Sequence, residues 1–486
     1  MEIRRRLAAA NPQVYEPDLA MTQNNLGCLY YNIQRYEDSE KMYLSAMEIY
    51  RRLAAANPQV YEPDLAMTQY NLGNLYSDTQ RYEDSEKMYL SAMEIRRRLA
   101  AANPQVYEPD LARAQNNLGN LYSDTQRYKD SEKMYLSAME IRRRLAAANP
   151  QVYEPDLAEI QNNLGSLYGK TQRYGESEEM YLSVLTVYQW LTIANPQVYE
   201  PDLARTQNNL GNLYSDTQRY KDSEKMYLSA LEIYQRLAAA NPQVYEPDLA
   251  RTQNNLGCLY YNIRRYEDSE KMYLSAMEIY RRLASVNPQV YEPDLAMTQN
   301  NLGCLYYNIR RYEDSEKMYL SVMEIYRRLA AANPQVYEPD LARTQNNLGC
   351  LYYNIQRYED SEKMYLSAME IRRRLAAANP QVYEPGLVRA CNNLSFLFLA
   401  QGNFEEAERY AREGSKYDST HHTIYTNLAA SLLFQGRYAE AEEIYLRYKE
   451  ELKEDFLSDF EDFYQRGIIP PEREDDVERI KKLLSK

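Results

Sequence analysis

The sequence repeats itself every 46 residues over most of its length. The segment NPQVYEP begins at Asn11 and recurs eight further times at this spacing, the last time at Asn379. A fixed period between about 20 and 50 residues is the signature of a solenoid, in which each unit packs on its neighbours. We therefore expect one long array of similar units, although length alone would suggest about three ordinary domains.

Each period predicts two α-helices. Residues 17–34 place apolar residues at spacings of three, four and seven, which is one face of a helix. We expect this helix A to begin at Pro17, because proline suits the first helical position, with Asp18 at the positive end of the helix dipole. Helix B, residues 36–55, ends before Asn57-Pro58, because the residue before a proline disfavours the helical conformation. The predicted fold class is all-α, an α-solenoid of antiparallel helix pairs.

The period divides the chain into four stretches. Residues 1–10 align with the end of a helix B, so we expect them to belong to a repeat whose helix A is missing. Residues 11–378 form eight units of 46 residues, and residues 379–452 form two shorter units. Residues 453–486 are expected to form charged amphipathic helices that cap the array, since the terminal face of a solenoid needs a polar cover.

A set of small and aromatic residues returns in each unit. In the first unit the set consists of Leu26, Gly27, Tyr30, Tyr36, Ser39, Tyr43 and Ala46. This set resembles the tetratricopeptide repeat, and the 46-residue length resembles the extended repeats of kinesin light chain and its bacterial relatives. The resemblance covers nearly the whole chain. It implies a right-handed superhelix in which the glycine lets helix B approach helix A and one side of helix A lines a concave groove.

Composition excludes several classes of function. A formal charge of -14 argues against a protein that binds duplex nucleic acid, which needs a dense lysine and arginine surface. No run of eighteen apolar residues is present, so no membrane span is predicted. Five cysteines without CxxC pairs fit a reducing compartment, and we expect a cytoplasmic protein with reduced thiols.

No residue pattern predicts catalysis. The adjacent histidines His421 and His422 lack further ligands nearby in sequence, so we expect no metal site. Carboxylate pairs such as Glu37-Asp38 recur in five of the eight long units, which indicates solvated surface rather than acid–base chemistry. Neither a glycine-rich phosphate loop nor a nucleophile elbow is present. The chain is expected to be neither an enzyme nor a cofactor-binding protein.

Four helix-A positions vary between repeats, whereas the helix-pairing residues stay nearly constant. In the first repeat they are Met21, Cys28, Tyr31 and Asn32, at offsets that share one side of a helix. We interpret this side as a groove with a graded lining. The alternative is that solvent-facing positions simply drift after duplication. The candidate groove residues at the first and third of these positions are Arg113, Arg205, Arg251, Arg343, Tyr261, Tyr307 and Tyr353.

A pair of asparagines in helix A is nearly constant, and its second member is present in every repeat. A side-chain amide has both donors and an acceptor, which match the alternating groups of an extended peptide backbone. Proteins that this chain resembles use such an asparagine ladder to hold peptide main chain. The alternative is that the asparagine stabilises a contact between repeats. The candidate peptide-binding asparagines are Asn25, Asn71, Asn117, Asn163, Asn209, Asn255, Asn301, Asn347 and Asn393.

The sequence thus predicts a scaffold or adaptor that binds an extended or C-terminal segment of another protein in its groove. One alternative is a sensing or regulatory arm of a longer enzyme or signalling protein. Another is self-association through the uncapped N-terminal face. On the first hypothesis, replacing Asn255, Asn301 and Asn347 with alanine abolishes partner binding and leaves helicity unchanged.

Overall fold

The computed structural model describes residues 1–417 and 423–485, and within them every regular element is helical. The chain divides into two compact halves, Met1–Ala240 and Asn241–Lys486. Each half is an array of helix pairs in which successive helices pack along their lengths. The prediction of an all-α solenoid is confirmed. None of the described helices is at once long and apolar enough to cross a membrane.

The N-terminal half consists of one short helix and five helix pairs. Each pair has an even-numbered helix A and an odd-numbered helix B. The helices are α1 (Glu2–Ala10), α2 (Pro12–Asn32), α3 (Tyr36–Ala56), α4 (Pro58–Asp78), α5 (Tyr82–Ala102), α6 (Pro104–Asp124), α7 (Tyr128–Ala148), α8 (Pro150–Lys170), α9 (Tyr174–Ala194), α10 (Pro196–Asp216) and α11 (Tyr220–Ala240).

The C-terminal half continues the same pattern and then departs from it. Three long pairs are followed by a long helix A with a short helix B, a short pair, and a C-terminal segment that contains a 3-10 turn at Pro471–Arg473. The helices are α12 (Pro242–Asn262), α13 (Tyr266–Val286), α14 (Pro288–Asn308), α15 (Tyr312–Ala332), α16 (Pro334–Asn354), α17 (Tyr358–Ala378), α18 (Pro380–Ala400), α19 (Phe404–Tyr417), α20 (Ile424–Phe434), α21 (Tyr438–Arg447), α22 (Lys449–Gln465) and α23 (Glu474–Ser485).

Helix A begins five residues earlier than the sequence pattern predicts. Helix α2 starts at Pro12, and the backbone N–H of Tyr15 donates to the carbonyl of Asn11 at 3.2 Å. Asn11 has φ -144° and ψ 84°, the extended conformation that a residue before proline favours. The expectation that Pro17 opens the helix is therefore wrong. Pro17 lies inside helix α2, and Asp18 lies beyond the first turn, where the helix dipole has little effect.

The turn from helix A to helix B holds one residue in the left-handed region. Gln34 has φ 59°, and the same backbone conformation recurs once in each of the eight long repeats. The two short repeats place Gly402 and Gly436 there, with φ 74° and 80°. Because a Cβ atom makes this conformation unfavourable, the long repeats carry a small strain at each turn that the short repeats avoid.

Within a pair, one glycine and one serine bring the two helices together. A Cβ atom added at Gly27 would lie 2.6 Å from the Tyr43 ring, so only glycine fits without displacing the tyrosine. The Ser39 hydroxyl is buried and donates to the Gly27 carbonyl at 2.8 Å. Repeat nine exchanges the two roles, because Ser395 stands at the glycine position and donates to the Ala407 carbonyl at 2.7 Å.

Between repeats, a recurrent ionic cluster joins one helix B to the next pair. Arg81 Nη1 lies 2.7 Å from Glu40 of the preceding repeat, the Tyr76 hydroxyl donates to the same carboxylate at 2.8 Å, and the Arg81 guanidinium lies 4.1 Å above the Tyr76 ring. Each half-exposed ion pair contributes little by itself, but the cluster recurs along both halves. The equivalent ion pairs are Arg127–Glu86, Arg173–Glu132, Arg219–Glu178, Arg311–Glu270 and Arg357–Glu316.

Candidate functional site

The variable positions and the second asparagine of helix A lie on one surface. In repeat three this surface consists of Arg113, Asn117, Asn120, Ser123 and Asp124, and with its equivalents in other repeats we call it the helix-A face. A cavity of about 230 Å³ in the N-terminal half is lined by such residues from repeats four and five, among them Ser166, Gly169, Lys170, Asn209, Asn212 and Asp216. The fold therefore brings together the positions that vary from repeat to repeat.

The asparagines form a ladder, and its hydrogen bonds run between repeats. The half-buried Asn347 donates from Nδ2 to Oδ1 of Asn300, the buried first asparagine of the preceding repeat, at 3.1 Å. Each rung uses one of the two N–H donors of an amide. The equivalent rungs are Asn71–Asn24 at 3.3 Å, Asn163–Asn116, Asn209–Asn162 and Asn301–Asn254 at 3.1 Å, and Asn393–Asn346 at 2.7 Å.

Two asparagines show what the ladder depends on. Asn117 faces a tyrosine, because Tyr70 replaces the first asparagine of repeat two, and it donates to the Tyr70 hydroxyl at 2.7 Å and to Asn74 Oδ1 at 3.1 Å. Asn25 belongs to the first repeat, is exposed and makes no rung. Asn255 is half-buried like the others. The ladder thus stabilises repeat stacking, which is the alternative that the sequence leaves open.

The four candidate arginines are half-exposed, and each has a partner on its own helix. Arg113 Nη2 lies 2.7 Å from the carboxylate of Asp110, three residues earlier. Surface pairs of this kind are weak and exchange readily with an incoming anion. The equivalent pairs are Arg205–Asp202 at 2.7 Å, Arg251–Asp248 at 2.6 Å and Arg343–Asp340 at 2.8 Å.

Two of the three candidate tyrosines lie on the helix-A face with their hydroxyls bonded to the next repeat. Asn308 donates to the Tyr261 hydroxyl, and Asn354 donates to the Tyr307 hydroxyl at 2.5 Å. The third and fourth variable positions of adjacent repeats are therefore coupled, so a change at one affects the partner of the other.

Tyr353 is not open to a groove, because the C-terminal segment covers it. Only 7% of its surface is exposed, and Arg466 donates from Nη1 to its hydroxyl at 3.0 Å. Its ring also packs on Phe396, with centroids 5.5 Å apart. The expectation that Tyr353 lines an accessible groove therefore does not hold while the C-terminal segment is in place.

Helix α22 lies over the last repeats. Phe456, Phe460 and Phe463 project from one side of α22 at spacings of four and three, and each is 1% exposed. The Phe463 ring lies 5.9 Å from Phe396 of helix α18 and 5.7 Å from Phe434 of helix α20. This segment thus packs onto helix-A residues of repeats nine and ten, and it does more than close the end of the array.

Helix α22 also brings a carboxyl group to this contact. Burial raises the pKa of Asp459 to about 6, partly offset by a hydrogen bond with Thr426. Thr426 takes the place of the first asparagine in repeat ten. The C-terminal helix therefore meets the ladder at its last rung.

The cysteines of the helix-A face are free thiols that accept hydrogen bonds. The Tyr273 hydroxyl donates to Cys258 Sγ at 3.3 Å, and Tyr319 and Tyr365 bond Cys304 and Cys350 in the same way, both at 3.2 Å. Burial raises the pKa of the Cys258 and Cys304 thiols. These thiols are therefore protonated at neutral pH and unreactive as nucleophiles.

Sequence reasoning missed a large cavity in the C-terminal half. It measures about 680 Å³, lies between helices α16, α17 and α18, and is lined by Arg343, Arg372, Arg389, Asn347 and Asn393 among others. A signal was present in the sequence, because repeat nine reads EPGLV where the eight long repeats read EPDLA. The lost residue is an aspartate, and Gly386 takes its place.

The residues that the structure describes contain no group of three or more histidine, cysteine, aspartate or glutamate side chains placed to hold a metal ion. His421 and His422 lie outside the described residues.

Comparison with known proteins identifies the repeat. A family model described as tetratricopeptide repeat matches residues 64–144, 110–189, 202–282 and 294–374. Two further models with the same description match residues 19–57 and 398–457. No curated protein matches the sequence significantly.

Three solved structures illustrate the likeness. BtubC (BKLC) from P. vanneervenii is 26% identical, with a TM-score of 0.43 over 51% of this chain and 92% of its own. A STAND protein with a tetratricopeptide repeat sensor, PH0952 from Pyrococcus horikoshii, is 16% identical, with a TM-score of 0.52 over 77% of this chain and 54% of its own. The apo form of RapI is 14% identical, with a TM-score of 0.49 over 77% of this chain and 97% of its own. Because the first model alone matches more than half of the sequence, this chain belongs to the tetratricopeptide repeat family.

Proposed function

We propose that this chain is a protein-interaction scaffold whose helix-A face holds an extended segment of another protein. Tetratricopeptide repeats serve in general as protein-binding scaffolds. The specific proposal adds where the segment lies and which side chains hold it. It includes no catalytic step and no cofactor, and it places the protein in the cytoplasm, where its five free cysteines stay reduced.

The observation that carries the proposal is the unused capacity of the second asparagine. Asn347 donates one hydrogen bond to Asn300, which leaves its second N–H and its carbonyl oxygen for another partner. Asn347 and Asn393 both line the C-terminal cavity, and Asn209 lines the cavity between repeats four and five. The same amide can therefore support repeat stacking and also bind peptide main chain, at about 0.5–1.5 kcal/mol for each bond.

Selectivity would come from the neighbouring variable positions. Repeats six and seven present Tyr261 and Tyr307, whereas repeats two, three and five present Ser77, Ser123 and Ser215 at the same position. Aromatic residues with a polar hydroxyl give large contact area and a hydrogen-bonding group together. We therefore expect the helix-A face of repeats six and seven to favour a more apolar segment than that of repeats two, three and five.

The alternative function, a sensing or regulatory arm of a longer protein, stays a prediction. PH0952 carries a tetratricopeptide repeat sensor by its description, and its 16% identity supports a shared fold alone. Self-association through the N-terminal face also stays a prediction. Ile3 of helix α1 is 75% exposed, which leaves an apolar side chain for such a contact.

Affinity purification from the native host with matched variants tests the proposal. The variant Tyr261→Ala/Tyr307→Ala removes two aromatic groups from the helix-A face, and Leu274→Ala/Leu320→Ala removes two exposed leucines from helices B of the same repeats. Quantitative mass spectrometry is expected to show at least one protein that the tyrosine variant loses and the leucine variant keeps. The opposite pattern would place the binding surface on helix B.

A further inference from the structure

An arginine cluster between repeats eight and nine lacks a carboxylate that the other long repeats supply. In repeats three, five, six and eight, the arginine at the first variable position pairs with an aspartate three residues earlier, as in Arg113–Asp110. Arg389 is the equivalent arginine of repeat nine, but Gly386 stands where its aspartate belongs. Arg389 is exposed, and it forms no hydrogen bond or ion pair with any residue that the structure describes.

In repeats three and four, the aspartate at the position of Gly386 also faces an arginine on helix B of the preceding repeat. Arg142 Nη1 lies 3.0 Å from the carboxylate of Asp156. Arg96 donates to the backbone carbonyl of Asp110, at 3.2 Å, and the carboxylate of Asp110 favours its charged form. The carboxylate of Asp110 thus balances Arg113 on its own helix and Arg96 on helix B of the preceding repeat.

Arg372 takes the corresponding place before repeat nine, and the carboxylate is missing. Its guanidinium donates to the Gly386 carbonyl. Burial and, to a smaller extent, the charges of Arg389 and Arg343 lower the pKa of Arg372 to about 10. Arg372 is still protonated at neutral pH, so two cations near each other lack a counter-charge.

A cavity lies beside Gly386, where a Cβ atom would be 2.8 Å from Arg372 Nη1. Arg343, Arg372 and Arg389 all line the 680 Å³ cavity, together with Asn347, Asn393 and a single carboxylate, Asp340. Asp340 already pairs with Arg343. The lining therefore carries an excess of two positive charges, with amide donors beside them.

We propose that this cavity binds a phosphate monoester, with Arg372 and Arg389 as its principal contacts and Gly386 as the residue that opens it. A phosphoryl group carries a charge of about -1.5 to -2 at neutral pH and three acceptor oxygens, which match the excess charge and the two guanidinium forks. A carboxylate carries a single charge and leaves part of the excess unbalanced. A cavity of this size holds the phosphoryl group together with the residue or small molecule that carries it.

The proposal is independent of the function proposed above, because it is tested with small ligands and no protein partner. Calorimetric titration of the full chain with inorganic phosphate, O-phospho-L-serine and L-aspartate, in phosphate-free buffer at low salt, measures the three affinities. The two phosphates are expected to bind at least about tenfold more tightly than aspartate. Tighter binding of O-phospho-L-serine than of inorganic phosphate assigns the site to a phosphorylated side chain, and the reverse order assigns it to free phosphate.

Three variants locate the site. Gly386→Asp restores the carboxylate of the other long repeats and is expected to weaken phosphate binding at least about tenfold. The uncharged Gly386→Asn brings the same Cβ atom 2.8 Å from Arg372 Nη1 and is expected to weaken binding less, since it adds no negative charge. Arg389→Gln removes a side chain that bonds no residue within the described part of the chain, and it is expected to weaken binding with an unchanged melting temperature. Equal affinity for aspartate and phosphoserine, or unchanged binding in Gly386→Asp and Arg389→Gln, would overturn the proposal.

Discussion

Asn301 Nδ2 lies 3.1 Å from Oδ1 of Asn254, one repeat earlier in the chain. Asn254 is 3% exposed, so its side-chain oxygen depends on this bond rather than on solvent. The asparagine ladder is accordingly part of what holds neighbouring repeats together, whatever else it binds.

The first prediction follows from that bond. Asn301→Ala leaves the Asn254 oxygen without its donor and is expected to lower the free energy of unfolding by about 1–3 kcal/mol. Asn25→Ala is the matched control, because Asn25 is exposed and makes no rung. Its free energy of unfolding is expected to stay within about 0.5 kcal/mol of the wild-type value. Urea unfolding followed by circular dichroism measures both. Equal effects would show that the rung does not stabilise stacking.

The second prediction concerns the glycine between the paired helices. In Gly119→Ala the new Cβ atom would lie 2.6 Å from the Tyr135 ring, so the helix pair is expected to separate at a cost of about 1–3 kcal/mol. At Gly175 the same substitution meets nothing within 4 Å, and it is expected to stabilise helix α9 by about 0.5–1 kcal/mol. The melting temperature is expected to fall for Gly119→Ala and to rise for Gly175→Ala. A change in the same direction for both variants contradicts the account.

The third prediction concerns the turn between helix A and helix B. Gln126 has φ 61°, so Gln126→Gly is expected to stabilise the protein by about 1 kcal/mol. The reverse change, Gly402→Gln, brings a Cβ atom into φ 74° and is expected to destabilise it by a similar amount. Melting temperatures of the single variants give the comparison. A lower melting temperature for Gln126→Gly would mean that the glutamine side chain outweighs the backbone strain.

The fourth prediction concerns pH and helix α22. Burial raises the pKa of Asp459 to about 6, above the ordinary value near 3.8, so the folded state binds the proton more tightly than the unfolded state does. The stabilisation from this group is complete below about pH 4 and is lost as the pH rises through 6. Asp459→Asn removes that dependence, and denaturant titrations at pH 4.5 and 7.5 are expected to differ less for the variant than for the wild type.

Much of the fold could be predicted, because the residues that stay constant from repeat to repeat include those that helix packing requires. Gly27 and Tyr43, which are constant through the eight long repeats, pack against each other, and the Ser39 hydroxyl bonds the glycine carbonyl. The start of helix A is harder to predict, because Pro12 and Pro17 both suit a first helical position, and only the structure shows that Pro12 is used.

The candidate site was less predictable, since constancy in a repeat protein has several causes. Glu40 hardly varies because it pairs with Arg81 and Tyr76 of the next repeat. The constancy of an exposed residue can therefore come from repeat stacking alone. The burial of Tyr353 depends on Arg466, more than one hundred residues later, and no local pattern reports such a contact.

A second exposed surface competes with the helix-A face as a binding site. One leucine on helix B of each of repeats one to seven is about 40% exposed and follows the same period. These leucines are Leu44, Leu90, Leu136, Leu182, Leu228, Leu274 and Leu320. A large exposed apolar surface commonly marks an interaction site, so the two faces have to be compared directly.

Site-specific photo-crosslinking makes that comparison and tests the central claim most directly. A benzophenone amino acid replaces Tyr261 on the helix-A face in one protein and Leu274 on helix B of the same repeat in another. Both are irradiated in extract of the native host, and the cross-linked peptides are identified by mass spectrometry. We expect position 261 to capture a contiguous segment of one partner and position 274 to capture none of it. Capture of that partner only at position 274, or equally at both positions, would contradict the account.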